Sequence, residues 1–275
     1  MTLYIPECHV RVFVLGSGSS GNSLIVESDG ERIIVDAGIG PVRAAHRMRS
    51  LGADLVTTRP PLGLFVTHDH GDHAAQALPL ARAVRAPLFA HDGIRADRAR
   101  RRLEVRPYRP GRSLHLGPFL VETMALPHDA PQVAVRVSVE RCGVAIATDL
   151  GHAPSDLRAF LAASDLVLLE SNYCPRLLAS GPYPMRLRSR VGGPLGHLGN
   201  EQAAEVASRL VDTRVQRLVL LHLSRTNNTP ELALDVVGSR ARRLRVDVLP
   251  HGEPRLFDVE RNASSAYATQ LGFGF

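Results

Sequence analysis

Apolar and β-branched residues gather in three short runs near the start of the chain, 9–15 (HVRVFVL), 23–28 (SLIVES) and 32–36 (RIIVD). These runs predict strands, with Asp29-Gly30 as the turn between the last two. Residues 41–51 show helical spacing, with Val42, Ala45 and Met48 on one face. A strand at 62–66, a mainly helical stretch at 74–84 and a short strand at 88–90 follow. The middle again predicts strands, at 119–125, 133–139 and 144–148. Residues 154–163 predict a helix opened by His152-Ala153-Pro154, with proline near its first turn. A strand at 167–169 precedes a helix at 200–210, whose first turn carries Glu201 and Gln202, where negative charge suits the helix dipole. The pattern closes with a strand at 218–223, a helix at 230–240 and a strand at 244–249. Strands arrive in meanders in each half, with helices between and after them. That order suits two sheets packed together and covered by helices, not a simple alternating parallel sheet. No internal repeat is present. The expected organisation is one domain over residues 1–260 and a small, polar, glycine-bearing tail over 261–275.

Composition sharpens this picture in two respects. Hydrophobic residues make up 44% of the 275-residue chain, ample for a packed core. The formal charge is +6, and every basic side chain other than histidine is arginine. A planar guanidinium suits phosphate, so an anionic substrate is one reading. A compositional bias toward arginine is the other, with equal weight. Cys8, Cys142 and Cys174 are scattered and form no CxxC pair, which gives neither a zinc ribbon nor a disulfide framework. Such a sparse set fits a reducing interior. The first residues show no basic-then-apolar leader pattern and no run of eighteen apolar residues exists, so a soluble, cytoplasmic protein without a membrane span is expected.

Gly16 to Gly21 (GSGSSG) matches a dinucleotide-binding fingerprint. That fingerprint needs a helix to follow, whose N-terminus faces a pyrophosphate. Here a strand follows, so the segment reads as a tight hairpin-like loop and no dinucleotide is expected. Ser19 and Asn22 remain candidates for hydrogen bonds at a site rim.

The chemistry concentrates in residues 67–73, THDHGDH, which follow an apolar strand. His68 and His70 are two apart, so in an extended segment they point to the same side. Asp72 and His73 come where the chain turns toward helix. Imidazole and carboxylate together suit zinc, iron or manganese. A solvated polar turn is the alternative, and the spacing disfavours it. Two ions need further ligands from distant loops. His128 in LPHDAP, Asp149 in ATDLG and His222 in LVLLHLS each lie where a strand meets a loop.

The order HxHxDH, then His, Asp and His, resembles the metallo-β-lactamase superfamily of dinuclear hydrolases. LGSGSSGNSLIVE, IVDAG, THDHGDH, TDLG, LLESN, GPYP, GHLGN and HLSRTNN together resemble the WalJ/YycJ type of DNA-processing metallohydrolase, from about Val10 to Asp258. The resemblance implies an αββα sandwich, the metallo-β-lactamase fold, with two mixed β-sheets flanked by helices. It implies that His68, His70 and His128 bind one divalent ion (zinc or manganese). Asp72, His73 and His222 would bind a second, Asp149 would bridge them, and Asp36 would orient ligand loops from the outer shell. The chain departs from the family at Asn172-Tyr173-Cys174, where asparagine, histidine and aspartate are expected. It also departs in HDAPQ, which lacks a Pro-x-Gly-Tyr continuation, and in GHLGN, which has glycine where serine is usual.

The expected activity is a phosphodiesterase using a metal-bridging hydroxide, foremost a 5′ to 3′ DNA exonuclease. The alternative is a small-molecule hydrolase of the same superfamily, cleaving a cyclic phosphodiester, lactone or thioester. A non-catalytic binding module is disfavoured by the complete ligand set. Asp72 and His197 are the catalytic candidates. His197 would bind a phosphate oxygen or protonate the leaving group, with a structural loop histidine as the equal alternative. Arg186 and Arg190, in the run MRLRSR, form either a phosphate-tracking stripe or a solvated helix face. Asn200, Arg225 and Asn227 are further rim candidates, and the basic run Arg95–Arg102 is a DNA-contact candidate or a solvated patch. His9, His46, His91, His115, His152 and His251 lack a partner at ligand spacing and read as ordinary surface or loop histidines. DNA is the expected partner; oligomeric state is not legible.

Overall fold

Alternation along the strands dictates the layers. In β1 (Cys8–Gly16), Val10, Val12 and Val14 face one way, while Phe13 and Leu15 face the other. In β9 (Gln132–Val139), Val133, Val135 and Val137 share the valine face of β1, and Ala134 looks outward. A strand with both faces apolar must be covered on both faces. The computed structural model, which describes residues 8–91 and 105–261, resolves this demand as four layers. The basic run 95–102 and the tail 262–275 lie outside the described residues.

One sheet has the order β14-β1-β2-β3-β4-β5-β6, with β2 Ser23–Ser28, β3 Glu31–Val35, β4 Gly63–Val66, β5 Leu88–His91, β6 Val105–Tyr108 and β14 Arg255–Arg261. The other has the order β13-β12-β11-β10-β9-β8-β7, with β7 Leu114–Leu116, β8 Phe119–Leu126, β10 Cys142–Ala147, β11 Leu166–Glu170, β12 Arg217–Leu221 and β13 Arg245–Val248. Each sheet is mixed. Antiparallel pairs link β14, β1, β2 and β3, then parallel pairs run from β3 to β6. Antiparallel pairs link β7 to β10, then parallel pairs run from β10 to β13.

One apolar cluster fills the space between the sheets. A second lies under α1 (Pro41–Ser50) and α3 (Ala77–Val84), a third under α4 (Leu157–Ala162), α7 (Asn200–Ser208) and α8 (Pro230–Arg240). Phe65 and Phe89 stack at 4.5 Å in the central cluster. Truncating such a ring costs about 3–5 kcal/mol through lost transfer energy and a residual cavity.

The parallel strands position the site. In open sheets, ligands gather beyond the carboxyl ends of parallel strands. Asp36 follows β3, His68 follows β4, Asp149 follows β10, Glu170 ends β11 and His222 follows β12. Asp36, Asp149 and His222 share a positive φ of 62°, 57° and 60°, so the chain swerves sharply as it leaves each strand. Such left-handed geometry costs a non-glycine residue about 1–3 kcal/mol and persists only where surroundings enforce it.

Several details depart from the sequence pattern. Val42 is 84% exposed, and α1 buries Ala44 and Met48 instead. The helix expected at 74–84 is split into α2 (Gly71–Ala74) and α3, because Gln76 N bonds the Ala37 carbonyl at 2.8 Å and ties the junction to the loop after β3. The helix expected from Pro154 starts at Leu157. Strands β6, β7 and β14 and the helices α5 (Pro175–Ser180) and α6 (Met185–Val191) were not anticipated as elements. The GSGSSG loop joins two antiparallel strands, with Gly18 and Gly21 at φ 98° and 124°. Among the described residues, no helix is long and apolar enough to cross a membrane.

Candidate metal centre

The loops beyond the strand ends converge on one cluster of donors. His68, His70 and His128 offer nitrogens within 4.8 Å of one another. Asp72, His73 and His222 form a second such group, and Asp149 joins His68 and His73 in a third. All seven candidate ligands named from the sequence are therefore brought together. His68, His73, Asp149 and His222 are buried, while Asp72 and His70 reach the surface of a cleft.

For each imidazole an outer partner fixes which nitrogen faces inward. His73 Nδ1 donates to Asp36 Oδ2 at 2.7 Å. His222 Nδ1 donates to Glu170 Oε1 at 2.7 Å, and His128 Nδ1 to the Gly196 carbonyl at 3.0 Å. His68 Nδ1 meets Thr67 Oγ1 at 3.1 Å, and that hydroxyl is itself held by Asp36. His70 is reversed, with Nε2 3.2 Å from Asp129 Oδ1 and Nδ1 facing His128. Such partners set tautomer and ring orientation and leave the opposite nitrogen bare for a cation. His68 Nε2, His222 Nε2 and Asp149 Oδ2 are buried and make no hydrogen bond. Asp149 Oδ2 lies 3.0 Å from His73 Nε2, close but without hydrogen-bond geometry. Buried polar atoms without partners are costly, and a divalent cation satisfies them together. The donor set thus fits divalent metal.

The electrostatics agree. Burial pushes the His68 pKa down to about 2, so this ring is neutral and ready to donate a lone pair. Burial opposes charge on His222, yet Asp149, Asp72 and Glu170 hold its pKa well above the ordinary value. For His73, burial is outweighed by Asp149 and Asp36, which favour a pKa of about 10. Asn22 Nδ2, however, sits 2.7 Å from His73 Nε2, a contact that requires that nitrogen to be bare. Asn22 Oδ1 is engaged by the Gly18 amide at 2.7 Å, so the side chain is held with Nδ2 toward His73. The extra proton of the metal-free site is therefore assigned to His222.

Glu170 was missed as a site residue, although LLESN was noted. It is fully buried. Its Oε1 accepts from His197 Nδ1 at 2.8 Å as well as from His222, and its Oε2 accepts from Leu150 N at 3.1 Å and Leu198 N at 2.9 Å. With every lone pair engaged it is a support for the two histidines, not a ligand. Burial opposes its ionisation, but His197 and His222 hold its pKa at about 2. The signal was available: a glutamate ends a strand that is otherwise wholly apolar, LVLLE. Gly38 was also missed. A Cβ there would lie 1.8 Å from the Asp72 carbonyl oxygen, so only glycine lets the ligand loop close against the loop after β3.

A cleft of about 380 Å³ opens over the donors, lined by Ser19, Asp72, Tyr183, Leu187, Arg190 and His197 among others. The remaining rim candidates divide. Arg190 lines the cleft and bonds Asp129 Oδ2 at 2.7 Å. Arg186 is exposed and outside the cleft lining, and Arg188 spends its guanidinium on the carbonyls of Ala179, Gly181 and Tyr183, so no arginine stripe forms. Three asparagine expectations need correction. Asn22 is buried and ties the glycine loop to Asp72 and His73. Asn200 is buried in an amide network with Ser171 and Asn228, and Asn227 is buried against Ser224. None of the three is open to a substrate. Arg225 is exposed just outside the cleft, beyond Ser224. His152 is exposed and bonds the Pro194 carbonyl, away from the cleft lining.

Comparison with known proteins adds to this geometry. A family model described as the beta-lactamase superfamily domain matches residues 31–223. The chain is 30% identical over 243 residues to the exodeoxyribonuclease WalJ of Streptococcus pneumoniae, covering 83% of this chain and 87% of that protein. It is 28% identical over 234 residues to the exodeoxyribonuclease YycJ of Bacillus anthracis, covering 80% and 84%. The solved metallo-beta-lactamase fold protein YhfI from Bacillus subtilis superposes with a TM-score of 0.69 at 17% identity, covering 91% of this chain and all of that one, a likeness of fold.

Proposed function

The chain belongs to the metallo-β-lactamase superfamily, in its WalJ/YycJ group, and from that premise we propose that it is a divalent-metal-dependent deoxyribonuclease acting from a strand end in the 5′ to 3′ direction. The observation that carries this reading is the pair of adjacent donor groups under an open polar cleft, with bare buried nitrogens aimed between them. In this reading His68, His70 and His128 hold one ion and Asp72, His73 and His222 another, with Asp149 between them. Zinc suits the histidine-rich group, and manganese suits the mixed one. Ions held there supply Lewis acidity, acidifying water and polarising a phosphoryl oxygen.

The chain's own residues do the rest. Asp36, Glu170 and the Gly196 carbonyl hold the ligand imidazoles in place before substrate arrives, so no reorganisation accompanies reaction. His197 lines the cleft and is held by Glu170. Burial opposes its charged form, but Glu170 raises its pKa, so the ring is poised to donate a proton to the departing oxygen. Arg190 offers charge to a phosphate oxygen, and the Tyr183–Leu187 face offers apolar surface to a base or sugar. A cleft of 380 Å³ with Arg190 as its lining arginine is short for a long nucleic-acid track. It favours binding of a strand end, and it keeps a small phosphodiester as the second reading.

The test uses purified protein with Mn²⁺ or Zn²⁺, and end-labelled duplex DNA beside bis-p-nitrophenyl phosphate. Progressive release of mononucleotides from the 5′ end is expected, with loss of both bound metal and turnover in His68→Ala. Hydrolysis of the small diester with no attack on any DNA would reject the nuclease assignment and retain the small-molecule one.

A further inference from the structure

Ser19 and Ser224 line the cleft, and their neighbours Ser20 and Arg225 lead out of it. There, Ser20, Arg47, Arg225 and His251 gather around Gly252. A Cβ built on Gly252 would lie 3.8 Å from Arg47 Nη2, 3.9 Å from Ser20 Oγ and 4.0 Å from Arg225 Nη2. Glycine, at φ +75°, adds no side chain between the two guanidiniums, which come from separate segments, and Ser20 Oγ spends its proton on His251. His251 closes one side: its Nε2 meets Ser20 Oγ at 2.9 Å and its Nδ1 faces the Leu223 carbonyl at 3.3 Å, one residue after His222. The ring is pressed against Gly18, where a Cβ would come within 2.4 Å of it. The glycine loop therefore fixes this group beside the metal centre.

Among the described residues, no carboxylate is paired with the arginines around this space. Arg225 is exposed and forms no hydrogen bond or ion pair among the described residues. Arg47 uses Nη1 on the Leu15 carbonyl, which leaves Nη2 toward Gly252. Partial burial, then Arg43 one turn earlier on α1, disfavours the charge on Arg47. Glu253, next to Gly252, is exposed and makes no ion pair among the described residues. Converging guanidiniums without an acid repel one another, and a phosphate relieves that repulsion while accepting their hydrogen bonds.

We infer that Arg47 and Arg225 form a phosphate subsite next to the metal centre, which takes a second phosphate of the strand whose scissile phosphodiester lies in the cleft. The inference rests on the nuclease reading and names where that strand is gripped. The phosphate is either the 5′-terminal monoester or a neighbouring internal diester; both present the same oxygens.

Arg225→Gln is the decisive variant, because Arg225 has no structural partner to lose; Arg47→Gln and the charge-preserving Arg225→Lys accompany it. Steady-state cleavage is measured on a 5′-phosphorylated oligodeoxynucleotide, its 5′-hydroxyl counterpart and bis-p-nitrophenyl phosphate, at several salt concentrations. Arg225→Gln is expected to raise KM for the oligonucleotide about tenfold and to lower its salt slope by about one, as one phosphate contact is lost. The loss should fall on KM more than kcat, be at least several-fold smaller on the single-phosphate ester, and be partly restored in Arg225→Lys. A loss confined to the phosphorylated strand identifies the terminal monoester, and an equal loss on both strands identifies an internal diester. DNA cleavage by the wild type with unaltered KM and salt slope in Arg225→Gln overturns the subsite alone. An equal loss on DNA and the small ester also overturns it. A wild type that cleaves no DNA overturns the subsite together with the nuclease reading.

Discussion

Glu170→Gln is the most incisive single change, because it preserves shape and removes one charge. The wild-type carboxylate accepts from two imidazoles on Oε1 and from two backbone amides on Oε2. A glutamine has one oxygen and one NH₂, so one of these pairs must face a donor. If the NH₂ faces Leu150 and Leu198, two buried amides lose their acceptor. If it faces the histidines, each ring must present a bare Nδ1 and move its proton to Nε2, which removes His222 Nε2 from ligation. Hydrogen bonds to a charged group contribute about 1.5–3 kcal/mol each, so losing a pair costs about 3–6 kcal/mol before relaxation. The pKa gives a second route: Glu170 is held at about 2 against an ordinary 4.5, which corresponds to about 3 kcal/mol. Its folded-state pKa is depressed, so this contribution is present above about 4.5 and lost as pH falls through about 2. The expected result in denaturant unfolding of the metal-free protein at pH 7 is a loss of about 3 kcal/mol. Chelator competition should show metal affinity weakened about 10–100-fold, the usual penalty for losing an outer-shell partner. With metal saturating, kcat should still fall, because His197 has lost its anchor. Wild-type metal affinity and kcat in Glu170→Gln would refute the reasoning and reduce Glu170 to a packing residue.

Three further outcomes follow from the geometry. Metal uptake should release a proton from His222: its pKa is raised in the metal-free site, so protons compete with the cation at neutral pH and affinity should climb by about one log unit per pH unit; affinity that is flat between pH 6.5 and 8 would reject the assignment. Gly38→Ala forces a methyl onto the Asp72 carbonyl, so it should cost at least about 1–3 kcal/mol in unfolding and loosen metal, measured by melting with and without Zn²⁺. Gly199→Ser should destabilise by a similar amount, and Tyr173→His in the same chain should recover most of it; additive effects in this double-mutant cycle would show the two positions to be independent.

Much of the centre was legible because its ligands follow one rule: a titratable residue where a buried apolar strand ends. Asp36 after RIIV, Asp149 after the run ending at Thr148, and His222 after RLVLL all obey it. Glu170 obeys it too and was overlooked, since a glutamate at a strand end carries no ligand-spacing signal of its own. The asparagines were misread for a different reason. Asn22, Asn200 and Asn227 look like solvent-facing loop residues in sequence, yet all are buried: Asn22 bonds the Gly18 amide and reaches His73, Asn200 bonds Ser171 and Asn228, and Asn227 turns back on Ser224 within its own loop. The edge strands were illegible because β7 is three residues long and β14 alternates exposed and buried positions against a partner more than two hundred residues away. The arginines defeated sequence reasoning most clearly. Arg186, Arg188 and Arg190 look equivalent at alternate positions of MRLRSR, but on a helix they point in different directions, one to solvent, one to three loop carbonyls and one to the cleft.

Tyr173 and Gly199, two of the positions where the sequence departs from the pattern it resembles, are in contact in the structure. The two residues form a parallel backbone bridge, flanked by Asn172 N to the Leu198 carbonyl at 2.8 Å and Asn200 N to the Tyr173 carbonyl at 2.9 Å. That ladder fixes the loop carrying His197 against the loop following Glu170. A Cβ on Gly199 would lie 3.0 Å and 3.1 Å from ring carbons of Tyr173, so the serine usual in the family cannot coexist with this tyrosine without displacement. Gly199 has an ordinary extended φ of −78°, so steric room, not backbone freedom, explains the glycine. The ring is buried in that junction, and it lies outside the cleft lining. A histidine expected at this position would bring a titratable group near the centre; Tyr173 brings packing instead. Asn172, beside it, still lines the cleft and donates to the His222 carbonyl at 2.8 Å, so the metal-side geometry is preserved. Tyr183, Leu187 and Arg190 line the cleft on this side, and Arg190 also holds Asp129, the outer partner of His70.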